Sequence, residues 1–152
     1  MAGRAGRPLT RRSAFWDASA LVPLCVTQSL TPKSIVLYQS YEAAVWWATP
    51  IETASALARL VRVQQLDSDG WIKSRKLAEA LADSWSVIRP TQTIQGNAIQ
   101  LVNRFGLKAG DALQLAAALD WCEDLPNGEV FLTADQKLRE AAVITGFDAK
   151  AL

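Results

Sequence analysis

The sequence predicts an α/β fold: a short, mainly parallel central sheet flanked by helices. Three observations carry this. Short apolar runs rich in strand-forming residues alternate with longer segments of helical periodicity. The runs are apolar throughout, as expected of strands covered on both faces. Several end on or just before a carboxylate, followed by small or helix-forming residues, as at Phe15-Trp16-Asp17-Ala18-Ser19. Strands alternating with helices make a parallel sheet with helices on its faces.

The first strand is predicted at 14–17, turning over into a helix at 18–28 that tolerates Pro23 near its start. Thr31-Pro32-Lys33 is a helix-start pattern, with Thr31 as N-cap and Pro32 in the first turn, opening a helix over 32–42. The second strand is read at 43–48, where adjacent Trp46 and Trp47 point to opposite, covered faces. Thr49-Pro50-Ile51-Glu52 opens the next helix, with Ile51, Ala54, Ala58 and Val61 on one stripe and Arg59 and Arg62 off it. After the break at 67–70 comes a helix over 69–84. A very short strand follows at Val87-Ile88, ahead of Pro90. Helices are predicted at 92–104, ending near Gly106, and at 109–122, the most apolar of all. Asn127-Gly128 is a turn before the strand 130–132. That strand feeds a helix over 134–143, capped by Gly146, and a last short strand falls around 147–151.

At 152 residues, half of them hydrophobic and a fifth charged, the chain is expected to form one domain over 14–152. A chain of this length buries about 68–70% of its unfolded surface and needs no covalent staple. Its two cysteines, Cys25 and Cys122, lie in apolar segments without metal-site spacing and read as free thiols of a reducing cytosol. There is no histidine, which removes Ser-His-Asp, Cys-His and His-zinc chemistry. The net charge of +1 is uneven. Arg4, Arg7, Arg11 and Arg12 fall within residues 1–13, a basic leader expected to be disordered, leaving twelve bases against fifteen acids. Arg11-Arg12 is not followed by the apolar run of an export signal, because Asp17 interrupts it. No apolar run reaches the 18 or so residues of a membrane helix, so the expected location is cytoplasmic.

Four carboxylates stand out: Asp17, Glu52, Asp111 and Asp135. Each has a plainer explanation. Asp17 can cap a helix. Glu52 completes a Thr49-x-x-Glu52 capping box. Asp111 and Asp135 sit where a helix start favours negative charge, with Thr133 as an N-cap ahead of Asp135. Their combination says more. If the strands are parallel, Asp17, Glu52 and Asp135 project from one end of the sheet, where α/β folds bind ligands. Like charges about 4 Å apart repel by roughly 4 kcal/mol at an effective dielectric of 20, so such a cluster calls for a counter-cation. Hard carboxylate oxygens suit Mg²⁺ or Mn²⁺.

These residues bring a family into view. Phe15-Trp16-Asp17-Ala18-Ser19-Ala20-Leu21-Val22-Pro23-Leu24 resembles the opening motif of PIN-domain ribonucleases, in particular VapC-type toxins of toxin–antitoxin pairs. Glu52-Thr53-Ala54-Ser55-Ala56-Leu57 resembles their second acidic motif, and the stretch Leu107–Ala118 around Asp111 the third. Phe131-Leu132-Thr133-Ala134-Asp135-Gln136-Lys137-Leu138, with Ala141-Ala142, resembles the fourth. The motifs run in order over roughly 14–148. Gln114 stands where many members of that family carry a histidine, which is not part of the acidic set. The arginine-rich leader is unusual too.

The resemblance implies a PIN-like three-layer fold and a metal-dependent endoribonuclease. Asp17, Glu52, Asp111 and Asp135 would hold one or two Mg²⁺ or Mn²⁺ ions, directly or through water, leaving a 5′-phosphate and a 3′-hydroxyl. Ser19 and Thr133 would orient the carboxylates, although helix capping explains them equally. Arg59, Arg62, Arg104 and Lys108 are candidates for RNA phosphate contact, and an exposed tryptophan for base stacking. The family implies a cognate antitoxin as partner, commonly a homodimer, and RNA as substrate. Surplus apolar residues on the helices of 32–62 suit such interfaces. The alternative is a PIN-like protein- or RNA-binding module without activity, which the presence of all four acids argues against. A phosphotransfer domain built on Asp17 lacks the second nearby acid of that chemistry.

Overall fold

A computed structural model describes residues 11–152. Its elements are β1 (Arg12–Trp16), α1 (Ala18–Cys25), α2 (Thr31–Ser40), β2 (Tyr41–Trp46), α3 (Thr49–Arg62) and α4 (Ser68–Ala82). They continue with β3 (Ser86–Ile88), α5 (Gln92–Phe105), α6 (Ala109–Trp121), β4 (Val130–Thr133), α7 (Gln136–Thr145) and β5 (Asp148–Ala151). The strands form one five-stranded sheet in the order β3-β2-β1-β4-β5, and every pairing is parallel. All described strand ends therefore point the same way, and the loops leaving them gather along one edge.

The sheet is covered on both sides, giving three layers. On one face Phe15, Ala44, Trp46 and Phe131 pack against Ile94, Ala98 and Leu101 of α5, the alanine-rich face of α6, and Leu138 of α7. Phe15 stacks on Phe131 with ring centroids 5.6 Å apart. On the other face the alternate strand residues Ala14, Trp16, Ala43, Val45, Val130 and Leu132 pack on α1, with Leu37 and Tyr38 of α2 and Leu81 of α4 at its margin. The two-residue alternation of a strand sorts adjacent apolar residues to opposite layers. A smaller cluster of Cys25, Leu57 and Leu60 joins α1 to α3, with Trp71 and Ala78 of α4 against it.

The elements predicted from the sequence are present, with shifted ends. β1 begins at Arg12, so Arg12 and Ser13 of the expected leader lie in the sheet, paired with Tyr41 and Glu42. Their side chains are exposed, and apolar patterning does not register exposed strand ends. Arg12 also donates to the carbonyl of Gly128, and Arg11 to that of Tyr38. The leader's disorder, where it concerns residues 1–10, lies outside the described residues. β2 likewise starts at Tyr41, which shortens the helix before it.

α1 stops at Cys25 because Thr31 organises the following loop. Its hydroxyl accepts from the Gln28 amide and donates to the Pro23 carbonyl. Thr31 is thus a loop clasp rather than the predicted N-cap, a position that Leu30 takes without a side-chain bond. Trp46 is buried, but Trp47 lies beyond the end of β2 and is 49% exposed, so the expectation that both are covered fails at Trp47. Gly106 ends α5 with φ of 62°, a left-handed conformation that glycine adopts without a Cβ penalty. Both cysteines are free, with Cys25 buried and its thiol pushed up to about 11 by burial. Among the described residues, no helix is long and apolar enough to cross a membrane.

Candidate active site

The sheet order reverses beside β1: β2 and β3 lie to one side, β4 and β5 to the other. At such a reversal the loops leaving two adjacent strands diverge and open a crevice at their carboxyl ends. Asp17 and Thr133 sit there, at the ends of β1 and β4, and the Asp17 amide donates to Leu132 O at 3.0 Å.

Asp17 is 4% exposed. It occupies the N-cap position of α1, but its side chain makes no capping bond. Its carboxylate accepts instead from the hydroxyls of Ser19 and Thr133, the latter at 2.9 Å. Those hydroxyls are themselves oriented, because Ser19 Oγ accepts from the Ala134 amide at 2.9 Å and Thr133 Oγ1 from the Asp135 amide at 3.0 Å. Five residues from the two central strand ends thus form one network. Burial drives the Asp17 pKa upward, and the Ser19 and Thr133 hydrogen bonds oppose it.

Glu52 lies in the first turn of α3. The predicted Thr49-x-x-Glu52 capping box does not form. Ala48 is the N-cap, with no side-chain bond, and Thr49 is the first helical residue, fully buried. Glu52 Oε1 accepts from Nε2 of Gln114 at 3.2 Å. Burial pushes its pKa up to about 7; the Gln114 bond opposes this, and the charges of Asp17 and Asp111 add to it. Asp111 lies in the first turn of α6 and is pushed up to about 6 by burial first, then by Asp17 and Asp135. The positive charges of Lys108 and Lys137 act in the other direction. Asp135 is exposed and caps α7 itself, its Oδ1 accepting from the Leu138 amide at 2.8 Å. The cap expected of Thr133 is therefore made by Asp135.

The four carboxylates share one edge of the sheet and are linked by mutual charge, Glu52 to Asp17 and Asp111, and Asp111 to Asp17 and Asp135. Among the described residues, no three acidic, cysteine or histidine side chains stand close enough to form a ready-made metal group. The donor chemistry nevertheless suits a hard divalent cation. All the donors are carboxylate oxygens, no histidine exists, and burial with mutual repulsion disfavours the ionised forms of Glu52 and Asp111, which a bound cation would favour.

Of the four basic candidates, Lys108 is the one whose charge reaches the carboxylates. Arg59 and Arg62 are in the last turn of α3, about 10–15 Å along the axis from Glu52 at the rise of an α-helix. Arg104 lies over the Phe105 ring at 4.7 Å and lines a separate cavity with Asn97, Leu119 and Thr145. Sequence reasoning passed over Lys137, which is exposed, donates to the Gly106 carbonyl at 2.7 Å and acts on Asp111. It also gave Gln114 no role. A signal existed: Gln114 falls three residues after Asp111, on the same helix face, and breaks the most apolar helix of the chain. A cleft of about 380 Å³ opens at the end of β2, lined by Trp46, Pro90, Thr91, Gln92, Ile94, Gln95 and Leu113. Trp47 follows β2 directly.

No protein-family model matches the sequence, and no curated protein matches it. Solved structures share its fold. One is a chain described as a toxin–antitoxin complex from Klebsiella pneumoniae, 17% identical with a TM-score of 0.59 over 82% of this chain and 88% of that one. Another is PAE2754 from Pyrobaculum aerophilum, 19% identical with a TM-score of 0.64 over 91% of this chain and 89% of that one. At these identities the likeness is one of fold: α/β, three layers, with an all-parallel sheet of five strands as in the PIN-like architecture.

Proposed function

We propose that this chain is a metal-dependent endoribonuclease that acts in the cytoplasm as the toxin of a toxin–antitoxin pair. The observation that carries the reading is the set of four carboxylates at the carboxyl edge of a parallel sheet in a protein without histidine, with Glu52 and Asp111 raised by burial first and then by the charges of the neighbouring acids. The fold shared with a chain of a toxin–antitoxin complex supports it. Asp17, Glu52, Asp111 and Asp135 would hold Mg²⁺ or Mn²⁺, directly or through water. A cation bound there supplies Lewis-acid stabilisation of phosphate charge and acidifies water.

The chain's own residues do the rest. Ser19 and Thr133 fix the Asp17 carboxylate through their own backbone-anchored hydroxyls. Lys108 and Lys137 offer positive charge to an RNA phosphate at the rim of the acidic edge. Exposed apolar residues on α2 and α3 (Ile35, Val36, Ile51 and Val61) supply surface for the antitoxin and for a homodimer.

The test is cleavage of a mixed tRNA and rRNA pool by the purified protein with Mg²⁺ or Mn²⁺, beside EDTA. Cutting that requires metal supports the reading, and a folded, antitoxin-free protein that cuts under neither metal sinks it. Ser19→Ala and Thr133→Val are each expected to lower activity about 10–100-fold, as loss of groups that orient metal ligands does. Trp47→Ala should act on binding: base stacking on an aromatic ring is worth about 1–3 kcal/mol, so KM for RNA rises while kcat holds. An unchanged KM would remove Trp47 from the RNA path.

One observation favours the second reading, a binding module without activity. No three acids converge into a tight ligand group among the described residues. Metal-independent RNA binding without cleavage would establish it.

A further inference from the structure

We propose that Gln114 is a positioning residue that fixes the Glu52 carboxylate at the site, with Thr49 as its anchor; its effect on metal rests on the nuclease reading. Gln114 is 0% exposed and lies in α6 among Leu115, Ala116, Ala117 and Ala118, all 0% exposed. Its Nε2 donates at 3.2 Å to Glu52 Oε1 and at 3.2 Å to Thr49 Oγ1. Both amide hydrogens are thereby used, on two residues of the first turn of α3. Thr49 is also 0% exposed.

The burial of this amide is not explained by folding. Its Oε1 is buried with no partner, and such an unmet acceptor destabilises a core. A leucine would fill the same helix position without an unmet acceptor of its own. What the amide provides is a directed donor on Glu52. It is also a neutral donor. A lysine or arginine there would orient Glu52 but cancel its charge, whereas an amide orients it and leaves the full negative charge free to meet a cation. Thr49 sets the amide's direction, because both its contacts lie on one turn of helix and a carboxylate can only accept.

The experiment compares wild type with Gln114→Leu, Thr49→Val and Thr49→Ser by two readouts. The first is Mn²⁺ affinity by electron paramagnetic resonance. The Kd is expected to rise about 10–100-fold in Gln114→Leu, to rise less in Thr49→Val, and to stay unchanged in Thr49→Ser, which keeps the acceptor. The second is the Glu52 carboxyl carbon resonance in the metal-free protein, read by side-chain NMR. It should move in Gln114→Leu and Thr49→Val and hold in Thr49→Ser. A Gln114→Leu protein with wild-type Mn²⁺ affinity and an unmoved Glu52 resonance overturns the proposal. A wild type that neither binds Mn²⁺ nor cuts RNA overturns the nuclease reading instead. The NMR comparison still decides the role of Gln114 in that case. Should Gln114→Leu not fold, the two Thr49 variants carry the same test.

Discussion

Asp17→Asn is expected to abolish RNA cleavage and, in the same protein, to raise the stability of the metal-free fold. The two effects have one cause. Asp17 is buried at the end of the central strand, and burial raises its pKa against the opposing hydrogen bonds of Ser19 and Thr133. Holding a carboxylate there is unfavourable unless a cation compensates. Asparagine keeps the shape and one acceptor oxygen for the two hydroxyls, but carries no charge. Without metal the variant should melt higher. A gain of about 1 kcal/mol corresponds to about 2–4 °C in Tm for a domain of this size. Activity should fall by more than about 100-fold, the upper end of what losing an outer, ligand-orienting partner does. Stability and cleavage measured on one preparation check both. A variant that melts lower and still cuts would place the chemistry elsewhere. A gain in stability at a site that loses function is the usual trade of a strained active site.

The second large effect is on pH dependence, and metal should remove it. Glu52 is raised from 4.5 to about 7 and Asp111 from 3.8 to about 6, in both cases by burial first. Over roughly pH 4 to 7 the folded protein keeps protons that the unfolded chain has released. The unfolded state then binds fewer protons, so stability falls as pH rises. The contribution is fully present below the unfolded values and is lost once pH passes the folded ones. Metal-free protein should therefore lose Tm steadily from pH 4 to 7. Saturating Mg²⁺ or Mn²⁺ should flatten that slope, because a bound cation favours the ionised carboxylates and stabilises the fold by mass action. Glu52→Gln should remove part of the slope without metal. Thermal melts from pH 4 to 8, with EDTA and with Mn²⁺, read all three. A Tm independent of pH would mean that these carboxylates are as well solvated in the folded protein as in the unfolded chain.

The order of strands and helices was legible in the sequence because each element carries its own local pattern. Phe15-Trp16, Val45-Trp46 and Phe131-Leu132 are paired apolar residues, and a strand sends such neighbours to opposite faces. Helix periodicity and the glycines at 106 and 146 marked the helices and their ends. Because the alternation implied parallel strands, it also implied that Asp17, Glu52 and Asp135 share an edge. The starts of β1 and β2 were not legible. Arg12, Ser13, Tyr41 and Glu42 pair through backbone; the side chains of Arg12, Ser13 and Glu42 are exposed, and Tyr41 packs only at the margin of the core.

The roles of individual polar groups were decided by tertiary structure. Thr49-x-x-Glu52 has the form of a capping box, yet Thr49 is drawn into the core by a glutamine 65 residues away. Glu52 is drawn to that same glutamine, 62 residues along the chain. Thr133 reaches Asp17, and the Ala134 amide reaches Ser19, because β1 and β4 are neighbours in space, 116 residues apart at the Thr133 bond. Lys137 meets the Asp111 side of the site only through the packing of α7 beside the Gly106 loop. A local pattern fixes what a residue can do within one turn or one strand, and so the sequence by itself determined the elements, their parallel arrangement and the edge on which the acids gather. Hydrogen-bond partners, burial and the raised pKa values depend on which distant segments are brought together, and only the folded chain decided those.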